Sequence, residues 1–224
     1  MGIIETATDA EITKFVRMLM PSFPKKRISK AKLSKMKQLY QSNQTSACVG
    51  EIMEQCGLKG LSVRMCYIWN RPSRAAIKKL VQDNLHHIGS SSTNLCLPAS
   101  WESTHDFDDT VAFVIRPPDF PLFGTPAFGK TRILLFLYAW RACKTFELFV
   151  ASIAHELAHV VLDSFRHPLC NNEVAVDLTS MILGFLDIIR NGRWSEDNFP
   201  GYLDDVQFEL AYEEIRKLSG VIYL

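Results

Sequence analysis

The chain has 224 residues, 47% of them hydrophobic, and its 25 Lys and Arg are balanced by 24 Asp and Glu for a formal net charge of +1. That much apolar material can bury a full core and argues against a disordered chain, while the even charge argues against a surface built wholly for nucleic acid or an acidic membrane. Six cysteines, Cys48, Cys56, Cys66, Cys96, Cys143 and Cys170, form no CxxC pair and read as reduced thiols. The N-terminal stretch MGIIETATDAEITKF carries acids where a signal peptide would be basic, and the apolar runs are too short or too charged to span a bilayer. A cytoplasmic protein with no membrane partner is the expectation. In that compartment the glycosylation pattern Asn43-Gln44-Thr45 carries no meaning.

In chain order, Lys25, Lys26, Arg27, Lys30, Lys32, Lys35 and Lys37 surround Ile28, Leu33, Met36, Leu39 and Tyr40 at helical intervals, and residues 46–56 form a short helix stopped by Gly57. The pattern changes at residue 61. Residues 61–69 (LSVRMCYIW) alternate as a strand, 74–87 are helical, 89–93 form a Gly/Ser/Thr loop, and 110–116 (TVAFVIR) are a second strand. Residues 117–130, with four prolines and two glycines, predict an irregular loop, and 133–140 a third strand. A long helix over 145–164 with Thr145 as N-cap follows, then a buried helix over 172–192 capped by Asn172, and an amphipathic helix over 203–218. The expected class is α+β: a small mixed sheet packed on the long helix and the buried helix after it. The change of character divides the chain into a basic, mainly helical region, 1–60, and a second domain, 61–224.

The long helix contains Ala154-His155-Glu156-Leu157-Ala158-His159, an HExxH motif. Residues i and i+4 project from one face of a helix, so His155 and His159 can bring two imidazole nitrogens to one metal ion, expected to be Zn²⁺. Glu156 then lies beside that ion as a general base toward water. A third protein ligand is required. Glu173 opens the next helix with Asp177 one turn later on the same face, so Glu173 can bind the metal while Asp177 orients a ligand histidine through its other ring nitrogen. His167 is the alternative ligand or an oxyanion donor, with Asp163 and Cys170 as further ligand candidates; Tyr138, Tyr202 and His105 are equally able to donate to an oxyanion. The glycine-turn pattern HExxHxxGxxH is not met, since Leu162 and Phe165 stand where it needs glycine and histidine.

HELAHVV followed by Glu173-Val174-Ala175-Val176-Asp177 resembles the gluzincin metallopeptidases, and among them the ImmA/IrrE-like group, over residues 145–190. The resemblance implies a zincin-like fold, zinc on His155, His159 and Glu173, and Glu156 as general base. It also implies cleavage of a peptide or protein substrate, in that group often an intracellular regulatory protein. Val174 departs from the alanine usual after that glutamate, and residues 1–60 carry no signature of the group. The strand at 133–140, directly before the motif helix, is expected to offer a sheet edge for an extended peptide. The second reading is a catalytically silent zinc-binding regulatory protein that contacts its partner, nucleic acid being the less favoured one, through the basic N-terminal helices.

Overall fold

A computed structural model describes residues 7–23, 27–70, 73–88, 111–117, 119–195 and 201–220; the expected loop at 89–93, Cys96 and His105 lie outside them. The first element is a helix that the basic run does not announce. α1 (Asp9–Leu19) starts on a capping box in which Thr8 Oγ1 accepts from Glu11 N at 3.3 Å and the Glu11 carboxylate accepts from Thr8 N at 2.8 Å. It buries Ile12, Val16 and Leu19 on one face. α2 (Lys30–Gln41) and α3 (Thr45–Cys56) follow, the latter ended by Gly57 in the left-handed region at φ 82°. Three of the four lysines of α2 find acids: Lys32 lies 3.6 Å from Glu54, Lys35 2.5 Å from Glu51 and Lys37 3.5 Å from Glu147.

The sheet is mixed and three-stranded, in the order β1-β3-β2, with β1 (Ser62–Ile68) parallel and β2 (Ala112–Ile115) antiparallel to β3 (Arg132–Tyr138). β3 is the central strand, so the expected sheet edge is not there. Its continuous apolar run ILLFLY reflects that position, because a strand covered on both faces has no solvent side to mark with polar residues. Ile133, Leu135 and Leu137 enter the larger core, and Leu134, Phe136 and Tyr138 enter a second core with Ile77 and Val81 of α4 (Arg74–Asn84). Phe113 of β2 stacks on its register partner Phe136 at 4.6 Å between ring centroids. A short helix, α5 (Ala139–Ala142), takes the end of the segment expected to be strand.

α6 (Phe146–Ser164) lies on the larger-core face of this sheet and is apolar almost all round, which is the signature of a helix with no solvent face. Thr145 caps it, accepting from Leu148 N at 3.2 Å. It packs against α3, β2, α7 (Glu173–Ser180) and α8 (Leu186–Ser195). The buried helix expected over 172–192 is two helices. Gly184, at φ 110°, breaks the regular ladder within a wide turn over Met181–Phe185, and buried Gln55 Nε2 donates to the Leu183 carbonyl at 2.9 Å. α9 (Asp205–Leu218) packs on α1, so the hydrophobic core runs continuously from Ile12 to Ile215 with α6 at its centre. No helix of the described residues is long and apolar enough to cross a membrane.

Because Gln55 satisfies a buried carbonyl at the break between α7 and α8, Gln55→Ala should destabilise the fold by about 1–3 kcal/mol. Urea denaturation should show the loss as a lower midpoint with an unchanged slope.

Candidate metal centre

The 13 residues between His159 and Glu173 make one compact reversal. α6 ends as Arg166 turns into the left-handed region at φ 52° and His167 N donates back to the Leu162 carbonyl at 2.9 Å. Asn172 then caps α7, its side-chain oxygen accepting from Ala175 N at 2.9 Å. Glu173 is therefore the first residue of a helix lying directly across from the histidines.

Glu173 Oε2 lies 3.3 Å from His155 Nε2 and 3.3 Å from His159 Nε2. This oxygen is buried and makes no hydrogen bond of proper geometry with either ring. Two ligand atoms on a tetrahedral ion with bonds of roughly 2.0–2.1 Å stand about 3.3 Å apart, so the two distances to Glu173 are those of neighbouring ligands in a coordination set. His155, His159 and Glu173 are the one group of three His, Cys, Asp or Glu residues among the described residues whose ligand atoms converge in this way, all within 4.8 Å. The site thus fits a divalent metal. Two imidazoles and one carboxylate suit zinc and also Fe(II), so the donor set by itself does not select one ion.

His155 Nδ1 lies 2.8 Å from Asp177 Oδ1, which fixes the ring and leaves Nε2 facing Glu173. The other Asp177 oxygen accepts from the Tyr202 backbone N–H at 2.6 Å. Tyr202 lays its ring over His155, with centroids 5.9 Å apart and planes at 20°. Glu156 is only 8% exposed. Burial pushes its carboxyl above the ordinary range; the two histidines and the Val114 backbone N–H of β2 pull it back without cancelling the rise. For His155 burial favours the neutral ring, but Asp177 and Glu173 outweigh it and hold the metal-free imidazole well above its ordinary value. Burial would raise Glu173 as well, yet the two facing imidazoles hold it well below the carboxylate range.

The other candidates sit elsewhere. His167 Nδ1 accepts from Leu169 N at 3.2 Å and its ring faces Phe23, and burial pushes its pKa down. Asp163 pairs with Arg116 at 3.0 Å, tying the chain after β2 to the end of α6. Cys170 stands in the turn after α6 and is not part of the ligand group. Tyr138 is 1% exposed in the second core, on the sheet face away from α6, with its phenol pushed up to about 12 by burial. The contacts of Tyr202 with Asp177 and His155, and the approach of Val114 to Glu156, join residues distant in sequence; Gly201, which admits the close approach to Asp177, was their one local sign. Protein-family models, curated proteins and solved structures give no significant match to this chain.

Asp177→Asn should weaken zinc binding about 10–100-fold by loosening the His155 ring. In chelator-treated wild type, nuclear magnetic resonance should find one imidazole titrating above the usual ~6.5, and the Asn variant should bring it down. Since that folded-state value is raised, protonated His155 stabilises the metal-free fold fully below about pH 6.5 and the contribution is lost as pH rises through the folded value.

Proposed function

We propose that the chain is a zinc-dependent endopeptidase with a zincin-like, gluzincin-type centre. The observation that carries this reading is the convergence of His155, His159 and Glu173 beside a buried Glu156 on the same helix. His155, His159 and Glu173 would hold the metal. When bound, such an ion acts as a Lewis acid and lowers the pKa of a water ligand to roughly 7.

The protein's own part centres on Glu156. As water adds to the carbonyl carbon and the C–N bond breaks, Glu156 takes the water's proton and passes it to the departing nitrogen. A pKa raised by burial suits a group that must both accept and return a proton. Val114 N–H faces that carboxylate from β2, which among the described residues pairs on one side only, with β3. The outer side of β2, not β3, is then the edge along which an extended peptide pairs. Of the side chains able to donate to the developing oxyanion, Tyr202 is the one laid against a metal-site histidine, while His105 lies outside the described residues.

A binding-only protein is less well served by these residues. A structural zinc has no use for a base buried at its side, and three of the basic residues meant to make the contact, Lys32, Lys35 and Lys37, are paired with Glu54, Glu51 and Glu147.

Glu156→Gln should lower kcat about 10²–10⁴-fold while zinc content stays at the wild-type level. The assay is mass-spectrometric cleavage of a proteome-derived peptide mixture by zinc-loaded protein. Equal cleavage by wild type and variant would remove the proposed base, and no cleavage by wild type with zinc bound would favour the binding-only reading.

A further inference from the structure

Asp177 is shared between two parts of the molecule. Oδ1 holds His155 at 2.8 Å, and Oδ2 holds the Tyr202 amide at 2.6 Å. The approach of residues 201–202 to this carboxylate suits a glycine, at φ 157°: a Cβ on Gly201 would lie 3.3 Å from Oδ2, and the carboxylate would have to give way by a few tenths of an ångström. A second group grips the same segment, and its Nη1 would lie 3.6 Å from the same Cβ. Arg193, at the end of α8, donates to the Leu203 carbonyl at 2.5 Å, pairs with Asp205 at 2.8 Å, and lies over the Phe208 ring at 5.2 Å. Arg193, Asp177, Gly201 and Leu203 line one small cavity of about 20 Å³, so the two grips are parts of one arrangement.

We propose that Gly201–Tyr202–Leu203 is a clasp closed over the metal centre by Asp177 and Arg193, and that Arg193, which touches no ligand, is a positioning residue for metal binding. The inference rests on His155, His159 and Glu173 holding a metal. Asp177 can present Oδ1 to His155 in one orientation only while Oδ2 is engaged by the Tyr202 amide, and the Tyr202 ring covers the face of His155. An open clasp frees the carboxylate to rotate and uncovers the imidazole. Coupling is reciprocal: whatever metal affinity the closed clasp adds, metal binding returns as protection of the clasp and of the start of α9.

The test measures the zinc dissociation constant, by competition with a chromophoric chelator, for wild type, Arg193→Gln, Gly201→Ala and Arg190→Gln. Arg190 pairs with Glu209 at 3.2 Å and lies over Tyr212 at 4.2 Å, so its variant loosens α9 without touching the clasp. Arg193→Gln and Gly201→Ala should each weaken zinc binding about tenfold, the size expected for a lost outer contact, with Arg190→Gln unchanged. In wild type, saturating zinc should slow hydrogen exchange at the Tyr202 amide, a readout that needs no variant to fold. Wild-type affinity in both clasp variants, equal weakening in Arg190→Gln, or Tyr202 exchange indifferent to zinc would overturn the linkage. Failure of wild type to bind either zinc or Fe(II) would overturn the metal centre and the linkage together.

Discussion

Two imidazoles and three carboxylates meet at α6, a deeply buried helix, and charged groups in such a place cost several kcal/mol each unless partners are supplied. Much of the surrounding architecture supplies those partners. α7 enters with Glu173 at its first turn and Asp177 at its second, so one helix face answers both histidines. β2 turns the Val114 amide toward Glu156. What remains is a buried Glu173 oxygen facing two ring nitrogens without a proper hydrogen bond, an arrangement that a cation would complete.

The scaffold holds these groups by tying both ends of α6. Thr145 caps its start, while at its far end Arg116 pairs with Asp163, Arg166 donates to the Phe120 carbonyl at 2.5 Å, and the Ser164 carbonyl accepts from Phe123 N at 3.0 Å. The irregular segment after β2 is thereby laid along the end of the helix. Its prolines and glycines suit it to that path. The N-terminal helices close the far side through α1 on α7 and α9 and α3 on α6, and Lys32, Lys35 and Lys37 of α2 pair with acids of α3 and α6.

The sequence is most readable where structure is local. HExxH spacing places His155 and His159 on one helix face, Thr145 and Asn172 are legible caps, and the offset of Glu173 and Asp177 follows from helix geometry alone. Three features are illegible for a shared reason. The central position of β3, the division of the 172–192 helix at Gly184 and the seating of Tyr202 on Asp177 all depend on contacts between segments far apart in sequence. Gly184 is instructive: one glycine in a helical pattern costs only about 1 kcal/mol and reads as tolerated, yet here it takes a left-handed conformation that divides the helix. The basic run is legible only in part, because its charges are plain and the acidic partners of Lys32, Lys35 and Lys37 on α3 and α6 are not.

The central claim is a metal held by His155, His159 and Glu173. X-ray absorption spectroscopy on the purified protein, with metal content measured on the same sample, tests it most directly. One zinc per chain in a shell of nitrogen and oxygen only, with the imidazole signature of two histidines, is the predicted result. A sulfur ligand would point to a cysteine such as Cys170 in place of Glu173, and the absence of bound metal after reconstitution with zinc and with Fe(II) would contradict the account.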